Sequence, residues 1–173
     1  MSHGADVEAI RARLRDELGT LVVDAPESVA FVYPSPYHTG MSSLGFQTLY
    51  RAINQQPSRA AHRAFLPDDV AAARQSRAPL ITYEALRPVS SYTVIALSVA
   101  YELELAGVVE CLELAGLPPL AEDRNASHPI VIAGGPLTFS NPLPLAPFVD
   151  VILMGEADET ANRVLDIVFG CRT

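Results

Sequence analysis

The sequence contains no lysine, no tryptophan and only two cysteines among its 173 residues. All twelve basic residues are arginine, and the formal net charge is −8. Nucleic-acid binding depends on clustered basic side chains, so this charge argues against a DNA or RNA partner. No apolar run approaches the roughly 20 residues that span a membrane. The N-terminus also lacks the charged and then apolar pattern of a secretory signal, so we expect a cytoplasmic protein without a membrane segment.

Several sequence motifs of metal, nucleotide and catalytic sites are missing as well. The two cysteines, Cys111 and Cys171, form no CxxC or CxxxCxxC pattern, so no zinc or iron–sulfur site is expected from this chain alone. No GxxxxGK[ST] or GxGxxG motif is present, which argues against a P-loop and against an NAD site. No serine lies in a nucleophile-elbow motif. The acids Glu84, Glu102 and Glu156 have no evident partner, so we predict no catalytic residues and expect no catalysis from this chain alone.

Buried strands alternate with helices along the chain. Apolar runs predict strands at residues 28–33, 62–67, 93–99, 128–133 and 150–154, and amphipathic patterns predict helices between them. This alternation predicts an α/β fold, a flavodoxin-like (Rossmann-like) doubly wound parallel sheet with strand order 2-1-3-4-5. A helix over residues 5–18 precedes the first strand. We therefore divide the chain into an N-terminal helix and linker, residues 1–27, and an α/β domain, residues 28–173.

Four loops follow the predicted strands and are expected to meet at one edge of the sheet. The first, Pro34–Ser43, is too rich in proline and glycine to predict either helix or strand. The other three are 98–102, 134–141 and 155–156. A single glycine or proline is typical of a turn, but four such loops together predict a pocket for a large cofactor. The predicted pocket residues are Thr39, Gly40, Ser42, Ser43, Ser98, Tyr101, Gly134, Gly135, Gly155 and Glu156.

The same stretches resemble a known family. Tyr33-Pro34 and Gly40-Met-Ser-Ser-Leu-Gly-Phe-Gln-Thr-Leu-Tyr50 resemble the opening of radical SAM proteins whose N-terminal domain is similar to cobalamin-binding domains. The likeness covers about residues 28–165. Further matches follow in order: Arg63-Ala-Phe-Leu-Pro67 with Asp69, Pro79-Leu80 with Glu84, Ala96-Leu-Ser-Val-Ala-Tyr-Glu102, Leu112 through Leu117-Pro118, Arg124, Ala133-Gly-Gly-Pro136, Asn141-Pro142 and Gly155-Glu156.

The resemblance implies an accessory domain that holds the nucleotide tail of cobalamin and precedes a radical SAM barrel, its expected partner. That barrel would carry the [4Fe–4S] cluster and S-adenosylmethionine, since their motif is absent here. Many cobalamin domains place a cobalt-binding histidine in a DxHxxG motif after the first strand. His38 lies in the corresponding loop, but the aspartate is missing and Gly40 is one residue too near, so His38 matches the pattern only in part.

Two alternatives remain open at this stage. The domain could have kept the fold, lost the ligand and serve only to dock on the barrel. It could also bind a flavin, with Thr39, Ser42 and Ser43 around the phosphate. The aromatic residues that could sandwich a flavin ring are then Tyr37 and Tyr101.

Overall fold

The computed structural model describes residues 3–171 and contains one parallel sheet. Its strands follow the order β2-β1-β3-β4-β5, and every neighbouring pair is parallel. The predicted flavodoxin-like α/β fold is therefore confirmed. The strand order has its switch point between β1 and β3, because the strands before and after it are added on opposite sides of β1. The strands are β1 (Glu27–Tyr33), β2 (Arg59–Phe65), β3 (Val94–Ser98), β4 (Ile130–Gly134) and β5 (Val151–Ile152).

Helices connect the strands, and a helix precedes the first strand as predicted. Ser43 caps one of them, since its hydroxyl accepts a hydrogen bond from the Phe46 amide at 3.3 Å. Asp69 caps another through the Ala72 amide at 2.9 Å. The helices are α1 (His3–Asp16), α2 (Tyr37–Met41), α3 (Leu44–Asn54), α4 (Val70–Ser76), α5 (Leu105–Leu114), α6 (Leu137–Ser140) and α7 (Ala157–Gly170), with 3₁₀ turns at Val89–Ser91, Glu102–Glu104, Ala121–Asp123 and Leu143–Leu145.

Both faces of the sheet are covered, and successive strand residues point to opposite cores. Ala30 and Val32 belong to the core on the side of α4 and α5. Val29 and Phe31 belong to the core beneath α1, α3 and α7. This double burial explains why β1 reads as a nearly continuous apolar run.

The second strand was predicted too late in the chain. We predicted residues 62–67, whereas β2 spans Arg59–Phe65. Its polar side chains Arg59, His62 and Arg63 are all buried, which the sequence pattern could not indicate. Arg59 pairs with Glu27 at 2.6 Å and Arg63 pairs with Glu84 at 2.6 Å. Buried charges are tolerated when they are paired, so β2 can begin at Arg59 although arginine is typical of a protein surface.

The prediction that Pro34–Ser43 holds no regular structure was also wrong, because α2 lies within it. Pro36 precedes the first turn, where a missing N–H costs nothing, and its carbonyl accepts from the amides of Thr39 and Gly40 at 3.0 and 3.1 Å. A Cβ on Gly40 would lie 2.6 Å from the Phe65 ring. The glycine therefore lets α2 pack closely on the end of β2.

Candidate functional site

A cleft lies over one face of the sheet, between α3 and α7 and towards the carboxyl ends of β1, β3 and β4. Its volume is about 350 Å³, which is at the lower end of the range for small-molecule sites. Phe31, Ala96 and Ile132 form the floor and stand in register on three neighbouring strands. A ligand in this cleft would rest directly on the central part of the sheet.

The cleft exists because the side chain at the centre of its floor is small. Phe46 of α3 stacks on Phe31 with ring centroids 4.3 Å apart and contacts Tyr33 edge-on at 5.2 Å, so it covers β1. Over β3, however, the floor is only the methyl group of Ala96. Ala96 is half-buried although it lies in the middle of a central strand. The helices thus leave an opening where a larger residue would fill the core.

The walls of the cleft are mostly apolar, and small residues are frequent in them. One side is α3, the other is α7, and the loops after β3, β4 and β5 form the mouth. The lining residues of the two helices are Gly45, Phe46, Leu49 and Ile53 from α3, and Ala157, Ala161, Val164 and Leu165 from α7. Such a surface suits a flat, largely uncharged group.

The structure brings six of the ten predicted site residues together at this cleft. They are Ser43, Ser98, Gly134, Gly135, Gly155 and Glu156.

The other four do not line it. Thr39 and Gly40 lie in α2, which packs towards β2, and the Ser42 hydroxyl donates to the His38 carbonyl at 2.7 Å. Tyr101 is exposed in the loop after β3. The cleft lies at the predicted edge of the sheet, and the loop after β1 contributes only Ser43 of its predicted residues to the lining.

Backbone hydrogen bonds join the loops at the mouth of the cleft. The Val99 amide donates to the Gly134 carbonyl at 2.8 Å, and the Leu137 amide donates to the Val99 carbonyl at 3.2 Å. Gly135 has a φ of 111°, and a Cβ there would meet the Val99 backbone at 2.5 Å. Gly135, directly after β4, therefore allows two loops to approach each other closely, which fixes the shape of the mouth.

The cleft offers few polar groups. Ser98 makes no side-chain hydrogen bond with any of residues 3–171, so its half-buried hydroxyl is available to a ligand. The Ser43 hydroxyl already accepts the capping bond from Phe46. Among the lining residues the charged one is Glu156, which is exposed. The electrostatics therefore do not favour an isolated anion in the cleft.

Sequence reasoning missed a buried carboxylate behind the mouth, Glu104. Its oxygens accept from the Ala100 amide at 2.6 Å and from the Ser35 hydroxyl at 3.1 Å. Burial, together with the charge and hydrogen bond of Glu104, raises the pKa of Tyr33 to about 12. Glu104 thus connects the loops after β1 and β3. In the sequence it cannot be told from its exposed neighbour Glu102, because both lie at the start of the same helical region.

The histidine and tyrosine of the β1 loop lie apart from the cleft. His38 is exposed on α2 and is not among the cleft residues. Tyr37 is buried and stacks on Tyr83 with centroids 5.4 Å apart, so its ring is not available to a flavin. Of the two candidate flavin partners, Tyr101 alone has an accessible ring.

The described part of the chain, residues 3–171, holds no group of three or more His, Cys, Asp or Glu side chains that could bind a metal ion. Cys111 is buried, and burial raises the pKa of its thiol, so it packs as a small apolar residue. Cys171 is exposed. Within the same residues, every helix is too short or too polar to cross a lipid bilayer.

Comparison with known proteins gives one informative result. The family model described as radical SAM proteins, N-terminal, matches residues 45–173, which is well over half of the chain. No curated protein and no solved structure gives a significant match. The family match includes α3, the cleft floor of β3 and β4, and α7. The chain therefore belongs to the family of N-terminal domains of radical SAM proteins, and a radical SAM domain is its implied partner.

Proposed function

We propose that this chain is a cobalamin-binding accessory domain of a radical SAM enzyme and that the cleft holds the nucleotide tail of the cofactor. The observation that carries the proposal is the open floor at Ala96, between two helices, in a cleft that opens towards the carboxyl ends of the parallel strands. In open α/β sheets, ligands bind at this edge. A cleft of about 350 Å³ is large enough for a tail with one aromatic base but too small for a corrin ring, which would lie outside it.

The chemistry of the lining supports a neutral aromatic group. The floor and both helical walls are apolar, so a flat base would replace water over Phe31, Ala96 and Ile132. The Ser98 hydroxyl and the backbone at Gly134 and Gly135 supply polar contacts at the mouth. His38 lies outside the cleft, so we propose no cobalt ligand among residues 3–171. When bound, the cofactor would supply the chemistry of its cobalt centre to the partner domain.

The direct test is retention of hydroxocobalamin. The chain is mixed with the cofactor and desalted, and the visible spectrum of the protein fraction is recorded. We expect a bound cofactor with a shifted spectrum. A colourless protein fraction would contradict the proposal.

A variant that fills the cleft makes this test specific. Ala96→Leu adds apolar atoms to an existing void, so we expect at least a tenfold loss of affinity with no loss of thermal stability. Ser98→Tyr should also abolish binding, because its ring would occupy the mouth. Ala71→Leu is the matched control, since Ala71 is exposed on α4 and lies outside the cleft. Unchanged binding by Ala96→Leu would place any bound cofactor elsewhere.

A second candidate function is a purely structural domain that docks on the barrel. The specific observation in its favour is that large apolar side chains are exposed beside the cleft, including Phe139 and Met154. Binding of the partner domain without any binding of hydroxocobalamin would support this alternative.

A further inference from the structure

Exposed apolar side chains are concentrated at the carboxyl edge of the sheet. Five large apolar residues there are between 43% and 85% exposed, and each follows the end of a strand. Single exposed apolar residues are common, but a group of them on one edge is typical of an interaction site. We call these five residues the carboxyl rim: Leu44, Tyr101, Leu103, Phe139 and Met154.

The carboxyl rim is also free of positive charge. None of the twelve arginines lies in the segments that form this edge, residues 34–44, 98–104, 134–142 and 153–157. Two exposed acids do lie there, Glu102 and Glu156. The rim therefore presents apolar groups next to negative charge, whereas the positive charge of the chain lies elsewhere.

This charge pattern limits what can cover the rim. A symmetric pair of these chains would bring the same acidic and apolar edge against itself. Glu102 and Glu156 would then face like charges, which costs free energy at an interface. A different protein surface with apolar side chains and arginine or lysine at its border would match the rim in both respects.

We propose that the carboxyl rim is the surface on which the radical SAM domain docks, through an apolar centre bordered by basic side chains. The family match supplies this partner, because the family consists of N-terminal domains of radical SAM proteins. The proposal adds the location and chemistry of the contact, and it does not depend on whether the cleft binds cobalamin. The docked partner would close the mouth of the cleft, since Phe139 belongs to both the rim and the cleft lining.

Thiol labelling can test this contact. Leu103→Cys and Met154→Cys introduce single reactive thiols on the rim, in a Cys171→Ser background that removes the exposed natural thiol. Cys111 is buried and stays unreactive. Leu18→Cys is the matched control for Leu103→Cys, since these leucines are 97% and 85% exposed. Ile167→Cys is the matched control for Met154→Cys, since these side chains are 65% and 63% exposed. Maleimide labelling rates are measured for the chain alone and for the chain together with its radical SAM domain, on one polypeptide or two.

We expect all four thiols to react at similar rates in the isolated chain. With the radical SAM domain present, the rim thiols should react at least tenfold more slowly, while the control thiols change less than about twofold. Equal rates with and without that domain would overturn the proposal. So would protection in the isolated chain that grows with its concentration, since a second copy would then cover the rim. Protection that requires hydroxocobalamin would assign the rim to the cofactor instead.

Discussion

At the residue scale, Glu104 is the side chain whose role is hardest to infer from its type. It is buried, it forms no ion pair within residues 3–171, and its charge is balanced by hydrogen bonds from Ser35 and Ala100. Ala100 lines the cleft, and Ser35 lies in the loop that leads to α2. The carboxylate therefore holds the loops after β1 and β3 at a fixed separation, and it is a positioning residue for the mouth of the cleft.

Two substitutions of Glu104 separate the role of its hydrogen bonds from the role of its negative charge. Glu104→Ala should destabilise the fold by about 1–3 kcal/mol for each buried donor left without an acceptor. Glu104→Gln keeps an acceptor for the Ala100 amide and should recover most of that loss. Because Glu104 raises the pKa of Tyr33 beyond the effect of burial, both variants should lower that pKa from about 12. Urea unfolding and NMR titration of [¹³Cζ]tyrosine, assigned with Tyr33→Phe, measure the two effects.

An unchanged Tyr33 pKa in both variants would contradict this assignment. Equal destabilisation by the alanine and glutamine variants would show that the charge, rather than the hydrogen-bonding geometry, is what the fold requires at position 104.

At the element scale, the position of α5 depends on one close approach. A Cβ on Gly107 would overlap the carbonyl oxygen of Pro34. The first turns of α5 therefore press against the loop that follows β1. The start of α5 and the loop after β1 both support the mouth of the cleft. A shift of α5 would therefore also move Glu104 and the loop after β3.

Gly107→Ala tests this packing. Although alanine favours a helix over glycine by about 1 kcal/mol, we expect a net destabilisation of about 1–3 kcal/mol because α5 must move. Gly45→Ala is the matched control in α3, since a Cβ there would meet nothing within 4 Å. That variant should be neutral or slightly stabilising. The stabilities of the two variants are compared by thermal unfolding. Equal stabilities would contradict the close packing of α5 on the loop after β1.

Among the elements of the fold, some features were predictable from the sequence and others were not. Alternating apolar runs and helices were sufficient for the strand order, because crossover rules leave few arrangements for five parallel strands. The start of β2 was missed because arginine is typical of a protein surface. The ion pairs that allow Arg59 to be buried come from residues distant in the sequence, Glu27 and Asp166. The edge of the sheet that carries the cleft was predictable from the strand ends. Its floor was not, because the opening at Ala96 depends on the register of three strands and the position of Phe46.

At the scale of the whole molecule, the N-terminal segment is tied to the sheet through buried polar groups. The Glu17 carboxylate pairs with Arg63 of β2 at 2.8 Å, and it accepts from the Tyr37 hydroxyl of α2 at 2.8 Å. The Leu21 carbonyl accepts from the Tyr50 hydroxyl of α3 at 2.6 Å. These contacts join the segment before β1 to three elements of the α/β domain. The division into residues 1–27 and 28–173 stays a prediction, and any such boundary would cross this network.

Glu17 makes that connection dependent on pH. Burial alone would raise the pKa of Glu17, but the hydrogen bonds from Arg63, Thr20 and Tyr37 outweigh it and hold the pKa below its ordinary value of 4.5. A carboxyl group with a lowered pKa in the folded state stabilises the fold above its unfolded pKa. That contribution is lost as the pH falls below about 4.5 through the folded pKa.

We therefore expect Glu17→Gln to lower the free energy of unfolding by about 1.5–3 kcal/mol near neutral pH, because Arg63 loses a charged partner. The difference between wild type and variant should be smaller below pH 4.5, because the unfolded wild-type chain then takes up a proton at Glu17 that the folded chain resists. Urea unfolding near neutral pH and below pH 4.5 measures it. Glu8→Gln is the control, since Glu8 and its partner Arg15 are 67% and 65% exposed at 3.8 Å, and such surface pairs contribute little. A wild-type–variant difference that stays constant with pH would show that the Glu17 charge does not link the N-terminal segment to β2.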